Sequence, residues 1–328
     1  MRREFDREIV LVASKPPRPQ GGYKSLMSSL DIAKSLSNRM LLRALRQLDR
    51  RAFYYDNVYT FIRNIDLHRE HLVVPYYYAV GSRINYGYVQ SICESVEIRF
   101  VGPEAYALTV CNDKVLSKDI CRSQGLRTPR CAVFYAQNDC PALEVLETPL
   151  IVKPVFEGNS IGITRDSICL TADAARMKAI ALYSKIRAPV MVEEFLEGTE
   201  VNVCLLQDGR VGYRINAVAL NKSRAVYDYR QKHFRWPFGM YKPYQSAEIE
   251  SNSESLLNIA KMLGKLEFMR FDCVISAGQL FCVELSPDAD LSINSALYLS
   301  VAHEMDYNDF VRHLIDNAIE SYRSRSTN

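Results

Sequence analysis

Apolar residues recur along this chain in two rhythms, and their alternation outlines a fold before any motif is considered. Glu8 to Ala13 is a near-continuous apolar run and predicts a buried strand. A Pro/Gly-rich stretch follows (Pro16, Pro17, Pro19, Gly21, Gly22), and then Ser29 to Leu48 takes up helical spacing with Ile32, Leu36, Met40 and Leu48 in register. Leu72 to Tyr77 predicts a second strand. Ile98 to Val101, closing on Gly102-Pro103, predicts a third. Strands alternating with helices argue a small parallel α/β domain over residues 1–112.

The pattern changes at Asp113. A helix is predicted to Gln124, stopped by Gly125, with Thr128-Pro129 restarting the chain in extended form. Leu150 to Val155 reads as a strand, and Thr171 caps a helix running to Ile186. Val190–Phe195 and Glu200–Leu206 read as strands separated by Gly198. A helix spans 253–263, and a strand pair, 268–275 and 279–285, is joined across Ala277-Gly278; a last helix begins near Asp306. The expected architecture is α/β plus α+β: a preceding domain 1–112 on the substrate side, a central lid 113–190 and a carboxy-terminal subdomain 191–328.

Composition narrows the class. With 328 residues, 48% hydrophobic, 24% charged and a net charge of +3, the chain has globular proportions rather than those of a disordered or coiled-coil protein. No apolar run approaches the roughly 20 residues of a membrane span, and the charged amino end lacks a signal-peptide core. A cytoplasmic protein without a membrane partner is expected. The nine cysteines are odd in number and contain no CxxC, which argues against a disulfide framework or a zinc site and for small buried hydrophobes. Tyrosine is abundant, 20 residues, and clusters at 54–55, 59, 76–78, 86 and 88; lining a cleft and simple packing both account for it. His68 and His71, three apart without a further ligand nearby, are expected at the surface with no metal role.

Three constellations carry chemistry. Glu157-Gly158-Asn159-Ser160-Ile161-Gly162 lacks the GK[ST] ending of a P-loop, yet its small residues can present backbone N–H groups to a phosphate. Lys153, four residues earlier on a buried strand, needs an anion because an unpaired buried charge is costly. Arg270 and Asp272 share one face of a strand, and Glu284 and Ser286 share one face of the next. Whether the faces coincide depends on the turn: two residues pair Asp272 with residue 283 and put Glu284 opposite, whereas an odd-residue loop or a bulge brings the carboxylates together. Two hard oxygen ligands on one face suit Mg²⁺ beside phosphates. The acidic run Val192 to Glu200 offers backbone groups for an adenine edge and a carboxylate for a ribose. Residues 222–242 are rich in Lys and Arg with interleaved aromatics; a lid over a triphosphate explains them, and with so small a net charge no nucleic-acid partner is expected.

Taken in order, Asn-Asp-Lys114, Val-Lys153-Pro with Glu-Gly-Asn-Ser-Ile-Gly, Glu193-Glu-Phe-Leu-Glu-Gly-Thr-Glu200, Tyr227-Asp-Tyr-Arg-Gln-Lys232, Arg270-Phe-Asp272 and Glu284-Leu-Ser286 resemble the ATP-grasp ligases of the D-alanine–D-alanine ligase type. The resemblance is good from about residue 100 onward. It implies an ATP-dependent carboxylate–amine ligase working through an acylphosphate, acting on amino acids or other small carboxylates, with a homodimer as its assembly. Lys114 and Lys153 would contact the α- and β-phosphates, and Glu157, Gly158, Asn159 and Ser160 would close over the γ-phosphate. Glu193, Glu194 and Leu196 would frame adenine and Glu200 the ribose. Asp272, Glu284 and Ser286 would hold one or two Mg²⁺ ions. Lys232 and Arg270 would attend the transferring phosphoryl group and the developing oxyanion.

Departures gather on the amino-acid side. Ser286 stands where the family has asparagine, and Ala289-Asp290 where it has Pro-Gly, while Ser295 matches the serine for the acceptor carboxylate. Val80 to Gly87, with Tyr86, lacks the family's histidine and acids. These departures favour a ligase for a substrate pair other than two D-alanines. The D-alanine–D-alanine activity itself, and a nucleotide-binding protein without turnover, are the alternatives.

Overall fold

Three sheets follow one another along the chain in the computed structural model, which describes residues 8–13, 30–48, 51–76, 87–156, 163–209, 212–220 and 241–325. The first contains β1 (Glu8–Val12), then after helix α1 (Leu30–Gln47) β2 (Arg51–Tyr55), and after α2 (Val58–Arg63) β3 (Leu72–Pro75). Its order is β2-β1-β3, all parallel, with Val10 opposite Phe53 and Val73. Both faces are covered, as parallel sheets require: Ile9 and Leu11 pack toward Leu41, Leu45 and Phe310, and Val10 and Val12 toward Phe61, Val89 and Phe100. The strand expected at 98–101 shrinks to a single bridge between Phe100 and Val73. Gly102, at φ +96°, and Pro103 end the pairing there at once.

Helices α3 (Tyr88–Ser95), α4 (Ala105–Asn112) and α5 (Lys114–Ser123) lead to the second sheet. The Asp113 side chain caps α5 by accepting from the N–H groups of Val115 and Leu116. The sheet comprises β4 (Cys131–Phe134), β5 (Leu150–Pro154), β6 (Ile168–Cys169) and, after α6 (Ala172–Ile186), β7 (Val190–Glu194), in the antiparallel order β4-β7-β5-β6. Small residues Ala175 and Ala179 let α6 lie close on Val152, Val190 and Val192.

The third sheet is built from β8 (Thr199–Asp208), β9 (Gly212–Leu220), β10 (Tyr241–Pro243) and, after α7 (Ala247–Ser251) and α8 (Ser253–Met262), β11 (Phe268–Ser276) and β12 (Gln279–Ser286). Helices α9 (Ala296–Leu299) and α10 (Tyr307–Arg325) close the chain. The order is β10-β9-β8-β11-β12. One face is filled by Val203, Leu205, Phe271 and Cys282 against Cys121, Leu256 and Ile259. The other divides: Cys204, Leu206 and Phe268 join the core beneath α9 and α10, and farther along β11 the same face opens into a cleft.

A buried ion pair ties the first sheet to the third. Lys265 donates to the carbonyls of Phe100 (3.0 Å) and Gly102 (2.9 Å) and lies 2.8 Å from Glu267, which accepts from the Gly102 N–H. All nine cysteines are free thiols, seven of them buried.

The expectation for the histidines is overturned at one of them. His68 is 1% exposed, its Nδ1 lies 2.9 Å from Nδ1 of His71, and its Nε2 meets the Tyr55 hydroxyl at 2.7 Å; His71 in turn reaches Glu8 at 2.7 Å. Spacing alone could not show that the 3₁₀ turn Ile65–His68 points the ring under Phe53 and Phe61.

Candidate functional site

The site begins with one hairpin. Ala277 and Gly278 both have positive φ, 48° and 70°, so β11 and β12 are joined by the two-residue turn that matches strand twist. From Ser276–Gln279 the register runs regularly to Cys273–Cys282. A regular ladder would then pair Asp272 with Val283. Instead the register shifts between Asp272 and Cys273, and Asp272 pairs with Glu284. Val283 is the extra residue of a β-bulge. Because side chains alternate with period two, that one residue carries Glu284 and Ser286 onto the face of Asp272 and Arg270.

On that face Arg270 holds Asp272 with two bonds, Nε to Oδ1 at 2.5 Å and Nη2 to Oδ2 at 2.9 Å, and also donates to Ser286 Oγ at 3.3 Å. Asn202, opposite Asp272 on β8, donates to Asp272 Oδ1 at 2.8 Å. Lys114, in the first turn of α5, sits 3.4 Å from Glu284 Oε1 and 3.5 Å from the Val155 carbonyl.

Across the cleft, β5 and β7 contribute a buried cluster. Lys153 lies 2.7 Å from Glu193 Oε1, and Lys118, one helical turn beyond Lys114, lies 2.5 Å from Glu193 Oε2. All three are almost fully buried. Burial alone would raise the Glu193 pKa, but the two ammonium groups hold it below the ordinary carboxylate range. Lys153 was expected to need an anion; here Glu193 supplies one. Lys118 was missed, although a second lysine four residues after Lys114 on a helix was a readable signal. The ammonium groups of Lys114, Lys118 and Lys153 thus gather against Glu193 and Glu284 at one side of the cleft.

Lys114, Lys153, Glu193, Glu194, Leu196, Glu200, Arg270, Asp272 and Glu284 all line this single cleft, with Ile151, Phe195, Leu220 and Val274 as its apolar surface. The Glu194 carboxylate accepts from the N–H groups of Arg130 (3.3 Å) and Glu147 (2.9 Å). Ser286 is buried beside Arg270. Asp290 and Ser295 lie in the segment after β12 and are not among the residues lining the cleft. The Ser295 hydroxyl caps α9, accepting from Tyr298 N–H at 3.1 Å. Asp290 accepts from the Tyr76 hydroxyl, and from the Ser292 N–H and hydroxyl at 3.1 and 2.6 Å. Tyr76, from the tyrosine-rich stretch, thus meets the acid that departs from the family pattern. Tyr86, Glu157, Gly158, Asn159, Ser160 and Lys232 lie outside the described residues, as do residues 221–240 of the basic segment.

Asp272 and Glu284, adjacent and backed by the Ser286 hydroxyl, form a hard-oxygen donor set on the wall that also carries Lys114, a composition that suits Mg²⁺ held jointly with phosphate. Among the described residues no group of three or more His, Cys, Asp or Glu stands close enough to hold an ion alone.

Residues 127–316 match the family model described as the D-ala D-ala ligase C-terminus. The D-alanine–D-alanine ligase of Aquifex aeolicus is 30% identical over 235 residues, 70% of this chain and 77% of that protein. That of Paracidovorax citrulli is 34% identical over 149 residues, 45% of this chain and 43% of that one. Among solved structures, the D-alanine–D-alanine ligase of Bacillus anthracis complexed with ATP superposes with a TM-score of 0.72 at 16% identity, covering 97% of this chain and 99% of that one. The D-Ala:D-Ser ligase of Enterococcus faecalis does so with 0.65 at 19% identity, covering 96% and 99%. These structural likenesses establish the fold, and the match over 127–316 establishes the lineage. The chain belongs to the D-alanine–D-alanine ligase family, and is an ATP-dependent carbon–nitrogen ligase of the ATP-grasp fold.

Proposed function

We propose that the cleft binds ATP and that the enzyme transfers its γ-phosphoryl group to a substrate carboxylate, so that an amino-acid amine can displace phosphate from the acylphosphate and form an amide. The observation that carries this reading is the placing of Asp272, Glu284, Arg270 and Lys114 on one wall opposite Lys153 and Glu193. Lys114 and Lys153 neutralise the phosphates, the Glu193-to-Leu196 segment frames adenine and Glu200 takes the ribose. Arg270, fixed by Asp272 and Ser286, offers a guanidinium to the oxyanion of the attacked carbonyl. Magnesium would be held by Asp272, Glu284 and Ser286 and would supply positive charge that offsets the negative charge of the phosphates. By the family resemblance Glu157, Gly158, Asn159, Ser160 and Lys232 would attend the same group, and Asp290, Ser295 and Tyr86 the acceptor. The protein works as a cytoplasmic homodimer with domains 1–112, 113–190 and 191–328; no helix of the described residues is long and apolar enough to cross a membrane.

Asp290, a carboxylate where the family has glycine, favours a pair other than two D-alanines; the curated relatives, named D-alanine–D-alanine ligases, favour that pair. ADP release measured over pairs of amino acids, D-alanine and D-serine included, separates these. Stimulation by at least one pair is expected. ATP binding without stimulation by any pair would leave a nucleotide-binding protein in place of a ligase.

A further inference from the structure

The Asp272 site is short of oxygen. A carboxylate has about four lone-pair positions. In Asp272 two on Oδ1 accept from Arg270 Nε and Asn202 Nδ2, and one on Oδ2 accepts from Arg270 Nη2. Ser286, where the family carries an asparagine, already accepts from the same guanidinium. A divalent cation that prefers six oxygens finds at this wall Glu284, which also meets Lys114, a fraction of Asp272 and the remaining lone pair of the Ser286 hydroxyl.

Asn202 stands in line with these groups. Across three neighbouring strands, Asn202 of β8, Asp272 of β11 and Glu284 of β12 are directly opposed in register, so their side chains form one row on one face, and all three line the cleft. Asn202 spends its amide nitrogen on Asp272. A carboxylate only accepts, so the donor in this contact must be the NH₂ group, and the carbonyl oxygen is the atom left over. Among the described residues no hydrogen bond to that oxygen is formed.

We infer that Asn202 is a metal-ligating residue: its amide oxygen adds a neutral donor to the weak one at Ser286, from the opposite flank of Asp272. The inference rests on the magnesium-dependent reading above. It puts a carboxamide on β8, with Asp272 between it and Glu284 at the centre of the row.

Mn²⁺ binding in the presence of ADP, followed by electron paramagnetic resonance on the full chain, tests it without recourse to turnover. Asn202→Ala is expected to weaken Mn²⁺ about tenfold, within the range typical for groups around a metal. Asn202→Asp keeps an oxygen but cannot donate to Asp272, so it is expected to bind Mn²⁺ at least as tightly as the parent and to gain more thermal stability from the ion. Ser286→Asn in the Asn202→Ala background is expected to restore affinity. Unchanged binding in Asn202→Ala overturns the inference. So does an Asn202→Asp variant as weak as Asn202→Ala, which would make Asn202 an orienting donor only. If Asp272→Asn and Glu284→Gln also bind Mn²⁺ like the parent, the magnesium reading itself fails, a result distinct from failure at Asn202 alone.

Discussion

Asp272 and Glu284 face one another across β11 and β12 because Val283 is bulged out of the ladder between them. Their shared face is what places a pair of carboxylates beside Lys114. Glu284 is partly exposed, so Glu284→Gln should fold as the parent does, its melting temperature lowered by no more than the loss of its ion pair with Lys114. ADP release coupled to product should fall by a factor on the order of 100, the scale for removing one preorganised electrostatic group. Full turnover in this variant would remove Glu284 from the proposed site.

Glu193 separates two buried ammonium groups. Glu193→Gln leaves Lys118 and Lys153 facing one another without a counter-charge, and breaking a buried pair in this way costs about 3–5 kcal/mol. Urea denaturation should show that loss, and millimolar ATP should recover part of it by supplying phosphate oxygens. A midpoint unchanged by the substitution would mean that the lysines find other partners.

At the turn of the same hairpin, Ala277 holds φ +48°, a conformation that strains a residue with a Cβ. Ala277→Gly or Ala277→Asn should raise stability by about 1 kcal/mol, asparagine and glycine being suited to this turn. Thermal unfolding reads the gain directly, and a lower melting temperature would show that the turn is set by contacts other than its own backbone.

Burial, with His71 adding to it and Glu8 opposing, holds the His68 pKa below its ordinary value. The native state therefore resists a proton that the unfolded chain accepts near pH 6.5. Stability should fall as pH drops below about 6.5, no more steeply than about 1.4 kcal/mol per pH unit for this one group. It should level off once the pH is below the folded pKa. Denaturation midpoints from pH 8 to 5 test this, and His68→Gln should flatten the profile; an identical slope in that variant would assign the effect to other groups.

Much of this molecule was readable because its signals are local. The cap at Thr171, the stop at Gly125 and the apolar runs of β5, β7 and β11 lie within a few residues of the elements they define. The same holds for the ordered motifs, each of which sits on one strand or loop. What escaped was set by contacts between distant segments. The third strand is cut short because only Phe100 finds a partner, Val73 on β3. The anion beside Lys153 proved to be Glu193, forty positions away in sequence, and His68 is buried by rings from β2 and α2. The bulge is the intermediate case: the turn residues leave the register open between two answers, and the packing of Phe271, Cys273 and Cys282 on one face and Asp272 and Glu284 on the other selects one.

β11 is flanked on both sides, by β8 and β12, and its ends are engaged as well. It begins beside the Lys265–Glu267 pair that reaches the first sheet, and it ends where the Ser276 hydroxyl donates to the Glu197 carbonyl, next to Gly198, whose Cα lies too close to the Ile275 carbonyl for any side chain. In the language of amide exchange, such a strand opens only with the whole domain, whereas loops and sheet edges open far more often. Local opening elsewhere would therefore leave Arg270 and Asp272 in alignment. The slowest clock in the protein is thus carried by the residues on whose alignment the proposed chemistry most depends.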